Sequence, residues 1–404
     1  MKLAVIDATD WQVTVDLERG REVQPEHPLL PVLASLLKAH PFPGDLDASS
    51  ARWVTDVALD VVDGYRPSFM MLIYATPYLV SAFTPTDTAQ RAAVVDQVFA
   101  EIGRFLVQTD FTPVIVGLGG MVPLRGQVDL TGLEGLAVAG GMPAQYAGLF
   151  RPAPRDLAFL RRLPGVARIV DRVSFQKEFG GNLLFYRRFP DYLLVAEEGY
   201  VLRGLGSSAR PIYLVPKYER EIPLHCPVPL ASQGLADLTS VAGAVSGMLA
   251  GSTKVALILV EGVGCATFPL PFHRITNTCR WYCYTVGDNQ YLAITTGRHL
   301  VENGYPPGFP YYAEDDEEKP FPFSGVFREM PQATIAQQHR YRGGRTAAVG
   351  NRSILTHATS GCEVAVECFA RALYNHGAMA VLDLEALPGA AGSETQNPGL
   401  AGCR

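Results

Sequence analysis

The stretch from residue 65 to 126 constrains the fold of this chain most. Pro67-Ser68-Phe69-Met70-Met71-Leu72-Ile73-Tyr74 is a continuous apolar run of strand length. Pro113-Val114-Ile115-Val116 is a second, and it runs directly into Gly117-Leu118-Gly119-Gly120. A strand that is apolar throughout, rather than at alternate positions, is buried on both faces, as in a parallel sheet covered by helices. Between the two runs, Thr86 or Asp87 can cap a helix on which Val94, Val98, Ile102 and Phe105 share one face. Strand, crossover helix and strand of this length form a βαβ unit. Sites in such sheets lie in loops at the carboxyl ends of the strands, so 75–85 and 117–125 are the loops in which chemistry is expected.

The rest of the chain repeats these signals. A helix is expected over 50–62, a short strand and turn over 128–133, loop over 140–150 and a short basic helix over 154–163. Buried strands are expected at 166–170 and 191–196, and the amino-terminal residues 1–7 read as a strand. Residues 204–235, rich in Gly, Ser and Pro, separate an α/β block at 1–240 from a second at 241–385. The second block opens on the most apolar strand of all, Val255-Ala256-Leu257-Ile258-Leu259-Val260, closed by Glu261-Gly262-Val263-Gly264. It continues with a helix ending near Thr296-Gly297, a helix over 334–341, a strand over 345–350 and an amphipathic helix over 363–375. The Gly-, Ala- and Ser-rich residues 386–404 read as a flexible tail. The fold class is therefore α/β, a mostly parallel sheet with helices on both faces, continuous across both blocks.

Charge and cysteine usage narrow the function classes. A net charge of -6 and a pI near 5.8 give no electrostatic reason to expect nucleic acid or an anionic membrane as partner. The sequence has no signal-peptide pattern at its start and no apolar stretch of membrane-spanning length. Seven cysteines, an odd number in a long chain, are those of a protein with reduced thiols, so a cytoplasmic location is expected.

Several residues stand where chemistry is expected. Glu261 follows the most buried strand, where a carboxylate is either a functional group or a loop cap. Asp288 and Asn289 form a polar pair that reads equally as a turn. Arg352, Ser353, Thr356 and His357 form the densest polar cluster after a strand, able to hold a small anion or simply to cap the next helix. Cys279 and Cys283 lack a second Cys/His pair at zinc-site spacing. Cys265 or Cys283 is the nucleophile in one further reading, an unrelated two-domain α/β enzyme using a nearby His.

In combination, these segments resemble the alkaline phosphatase superfamily, in its type I phosphodiesterase/nucleotide pyrophosphatase branch. Residues 66–74, the following loop, a helix containing Val95-Asp96 and the run Val114 to Met121 are similar to that family's second half. Val260-Glu261-Gly262, Thr296-Gly297, Asn303-Gly304 and the unit from Arg342 to Gly350 are similar to its first half. The halves stand in reversed order, as a circular permutation would leave them. The resemblance implies hydrolysis of phosphate or sulfate esters by two divalent metals, such as zinc or manganese, and a Thr or Ser nucleophile.

Carried over position by position, the ligand loop presents Tyr78 and Ala82, and the Asp-His pair is replaced by Leu118 and Gly119. Glu261 alone keeps a carboxylate, and the nucleophile position falls near Gly287, with Thr285 and Asn289 beside it. One carboxylate does not hold two metals. Two readings follow. One is a divergent hydrolase with Glu261, Thr285, Asn289 and His357 at its site. The other is a non-catalytic protein that keeps the scaffold to bind a small anion, a partner protein or a second copy of itself.

Overall fold

The computed structural model describes residues 35–302, except 37, 131, 140–142, 151, 204–209 and 228–234. It also describes the backbone of short strands at 15–16, 21–22, 311–313, 346–350, 354–359, 365–369 and 377–380. The helices are α1 (Ser50–Tyr65), α2 (Thr76–Phe83), α3 (Thr88–Gln108), α4 (Pro154–Leu160), α5 (Arg172–Phe179), α6 (Leu183–Arg188), α7 (Ser240–Ala250) and α8 (Asp288–Thr296). Two of the sheets position the site, with strands β1 (Phe69–Tyr74), β2 (Thr112–Gly117), β3 (Leu136–Val138), β4 (Tyr146–Phe150), β5 (Val166–Asp171), β6 (Tyr192–Ala196), β7 (Glu221–His225), β8 (Val255–Val260), β9 (His273–Thr276) and β10 (Gly377–Ala380).

The central sheet has the order β9-β7-β2-β8-β1-β10. Strand β8 pairs in parallel with β1 on one side and β2 on the other along its whole length. Strands β7 and β10 join the outer sides antiparallel. The protein is thus mixed α/β with a mainly parallel central sheet, and strands from before and after residue 240 are interleaved within it. The smaller antiparallel sheet has the order β3-β4-β6-β5.

Successive side chains of a strand point to opposite faces, and here both faces are covered. Met70, Leu72, Tyr74, Ile115, Ala256, Ile258 and Val260 pack under Trp53, Val54 and Val57 of α1 and Val98, Ile102 and Phe105 of α3. Met71, Ile73, Val114, Val116, Leu257 and Leu259 pack on the other side with Phe175, Phe185, Val241, Val245, Tyr291 and Ile294. Helix α3 starts at a capping box: the Asp87 carboxylate accepts from Gln90 N–H, and the Gln90 side chain accepts from Asp87 N–H. Its buried stripe is Val95, Val98, Ile102 and Phe105, one position away from the expected Val94 at its start.

The structure departs from the sequence reading in four elements. Residues 75–85, expected as loop, contain α2, whose eight residues are all buried. A helix buried all round has no solvent face to set an amphipathic period, and Pro77 is tolerated in its first turn. Within the expected loop 140–150 lies strand β4; Gly148 disguises it, yet an added Cβ there would touch Pro190 at 3.0 Å. The stretch 204–235 contains β7, a strand of the central sheet. Ala365–Phe369, expected within an amphipathic helix, is a strand antiparallel to the preceding strand Ile354–Thr359, so strand pairing overrides the helical pattern. The strand expected at 1–7, the helix expected at 334–341 and the expected tail at 386–404 lie outside the described residues. No helix among the described residues is long and apolar enough to cross a membrane.

Candidate functional site

Because β1, β8 and β2 run parallel and in register, their carboxyl ends bring three loops together. Glu261 N–H donates to the Tyr74 carbonyl at 3.0 Å, Leu118 N–H to Val260 at 2.9 Å, and Gly119 N–H to Val263 at 3.1 Å. Two glycines make the approach feasible. Gly262 has φ +74°, and a Cβ on it would lie 2.7 Å from Tyr78 N at the start of α2. A Cβ on Gly117 would lie 2.5 Å from the Val263 carbonyl.

Glu261 sits in this junction with only 2% of its surface exposed. Tyr291, from the second turn of α8, donates its hydroxyl to Glu261 Oε1. Burial pushes the Glu261 carboxyl up to about 8, against the smaller opposing effect of the Tyr291 hydrogen bond, a shift toward the protonated form. The buried Tyr78 phenol is raised well above its ordinary value, first by burial and then by Glu261. Thr76 Oγ1, also buried, has no hydrogen-bond partner among the described residues.

Next to this junction runs a buried amide network. Gln290 Nε2 donates to the Leu118 carbonyl at 2.9 Å and to Asn277 Oδ1 at 3.0 Å. Asn277 Nδ2 donates in turn to the Glu219 and Tyr284 carbonyls at 2.8 and 2.9 Å. The network ties α8 to the end of β2 and fixes where Tyr291 reaches Glu261.

Of the residues singled out by sequence, Glu261 is at the centre of the junction. Asp288 and Asn289 form the first turn of α8, the helix that brings Tyr291 to Glu261. Thr285 is half-buried just upstream of that helix. Thr356 and His357 belong to the strand Ile354–Thr359, in a four-stranded sheet of its own. Arg352 and Ser353, and the side chains of Asp288, Asn289, Thr356 and His357, lie outside the described part. Sequence reading passed over Tyr291 and Gln290; their spacing within a helix announces nothing, because their partners are 30 and 172 residues away.

The cysteine reading fails on electrostatics. The Cys283 thiol donates to the Glu219 carbonyl at 3.2 Å and is pushed up to about 12, first by burial and next by Glu219. Burial also raises Cys265. A nucleophilic cysteine needs the opposite shift, toward the thiolate.

A pair of divalent metals does not fit the described residues around Glu261. Two hard cations need several carboxylate or imidazole donors, and of Tyr78, Ala82, Leu118, Gly119 and Glu261 only the last offers one. Tyr78 and Ala82 belong to the apolar cluster of α2 with Leu79 and Phe83, and Leu118 is in the main core. Among the described residues, no group of three or more His, Cys, Asp or Glu is placed to hold a metal ion.

No family model matches this chain, and no curated protein does either. Two solved structures of phosphonoacetate hydrolase from Sinorhizobium meliloti 1021 match part of it. The complex with phosphonoformate aligns at 14% identity and a TM-score of 0.34, over 47% of this chain and 52% of the hydrolase. The complex with phosphonoacetate aligns at 15% identity and a TM-score of 0.32, over 52% of this chain and 57% of the hydrolase. The chain thus spans little more than half the length of that protein.

Proposed function

We propose that this chain is a divergent protein of the alkaline phosphatase kind, nearest in sequence pattern to the phosphodiesterase/nucleotide pyrophosphatase branch, that does not use two-metal ester hydrolysis. The observation that carries this reading is the state of Glu261. It is the one residue that keeps a carboxylate where the family pattern has a ligand, and here it is buried, engaged by Tyr291 and shifted toward its neutral form. Such a group serves as a neutral hydrogen-bonding element rather than as a metal ligand. The permuted order of the halves is supported by the sheet, in which β8 of the second block lies between β1 and β2 of the first. In the non-catalytic form of the reading, the same strand ends hold a small ligand or a partner. The buried Thr76 hydroxyl at the start of α2, which has no hydrogen-bond partner among the described residues, favours that form.

The test combines two measurements on the purified full chain. Metal content is determined by mass spectrometry, and hydrolysis of a chromogenic phosphodiester is followed with and without added zinc or manganese. The expected result is no stoichiometric metal and no metal-dependent turnover. Turnover that requires metal and is lost in Glu261→Ala would overturn the proposal.

A further inference from the structure

At the carboxyl end of β2 the chain places one of its own carboxylates in a glycine-lined cradle. Glu219, in the connection leading into β7, accepts a hydrogen bond from Gly120 N–H at Oε2, at 3.0 Å. The Lys217 ammonium lies 3.6 Å from its other oxygen, Oε1, and only 10% of the Glu219 side chain is exposed. The walls are glycine for a steric reason. A Cβ on Gly264 would sit 2.0 Å from Glu219 Oε2 and 2.6 Å from Gly120 N. Cβ atoms on Gly120 and Gly119 would come to 3.6 and 3.8 Å from the same carboxylate. Any side chain at 264 would therefore fill the space that the carboxylate now occupies.

The backbone that carries Glu219 is held independently of its side chain. Its carbonyl accepts from Asn277 Nδ2 at 2.8 Å and from the Cys283 thiol at 3.2 Å, and Lys217 N–H donates to the Gly120 carbonyl at 2.8 Å. The carboxylate is thus an occupant of the cradle, separate from the fastenings of the loop. The cradle also lies at the ends of adjacent parallel strands, where open α/β sheets bind their ligands.

We propose that the cradle of Gly119, Gly120 and Gly264 is a binding site for a ligand bearing a carboxylate, closed in cis by Glu219. A tethered occupant competes at a high effective concentration, so the wild-type chain excludes a free carboxylate that the vacated cradle accepts. This inference goes beyond the reading of Glu261 and does not depend on it.

The test uses Glu219→Ala, with sodium acetate as probe and sodium chloride at equal ionic strength as control. The expected result is a saturable rise of the thermal midpoint by about 2–4 °C with acetate alone. The wild type and the double variant Glu219→Ala/Gly264→Ala, whose cradle the new methyl group fills, are expected not to respond. Equal responses to acetate and chloride, or a response to phosphate but not acetate, would overturn the proposal. Where Glu219→Ala does not fold alone, refolding in acetate is expected to recover it, and failure to recover it overturns the proposal equally.

Discussion

At the scale of the residue, Glu261 and Gly262 show how one position can be read from sequence while its state cannot. The sequence places a carboxylate at the end of the most apolar strand; whether that group is charged depends on what surrounds it. Burial raises its pKa to about 8 from an ordinary value of 4.5, so the folded state holds a proton that the unfolded chain releases over that range. Stability contributed by the neutral form is therefore full below about 4.5 and falls as pH rises toward 8. The slope approaches about 1.4 kcal/mol per pH unit where the two states differ by one proton. Glu261→Gln, neutral at every pH, is expected to remove this slope. Urea unfolding of both proteins at pH 5, 6, 7 and 8 checks it, and parallel pH profiles would show that Glu261 is already ionised in the fold.

At the scale of the element, helices α2 and α3 stand in contrast, though they are consecutive. Helix α3 is written in the sequence by its cap and its stripe of Val95, Val98, Ile102 and Phe105. Its Asp87 box satisfies one of the first-turn amides that a helix leaves unpaired. Asp87→Ala is expected to cost about 1 kcal/mol in chemical denaturation. A cost near zero would mean that packing against α1 alone fixes the helix start. Helix α2 has no side-chain cap, and every residue is buried. No periodicity separates such a segment from a loop of apolar residues, so only its enclosure by neighbours reveals it.

At the scale of the whole molecule, stability is centred on β8. This strand has a parallel partner on each side and a packed core on each face. Opening its amides requires breaking both ladders, which approaches global unfolding. In hydrogen exchange, the amides of Val255–Val260 are expected to be among the slowest in the chain, slower than those of His273–Thr276 at the margin of the sheet. Exchange of Val255–Val260 at the rate of His273–Thr276 would mean that the sheet does not unfold as one unit.

The sequence by itself determined the strands that are buried on both faces, because a parallel strand between two helical layers has nowhere to place a polar residue. It also placed a carboxylate, Glu261, directly after the most apolar strand. Tertiary structure decided the rest. That β8 enters between β1 and β2 depends on pairing across about 140 residues or more, which no local pattern encodes. The hydroxyl of Tyr291 on Glu261 and the carboxylate of Glu219 on Gly120 join residues 30 and 99 positions apart. Both contacts arise only when the sheet has brought its strand ends together. The raised pKa of Glu261 is of the same kind: it is set by the exclusion of water, which is a property of the assembled core and not of any residue within it.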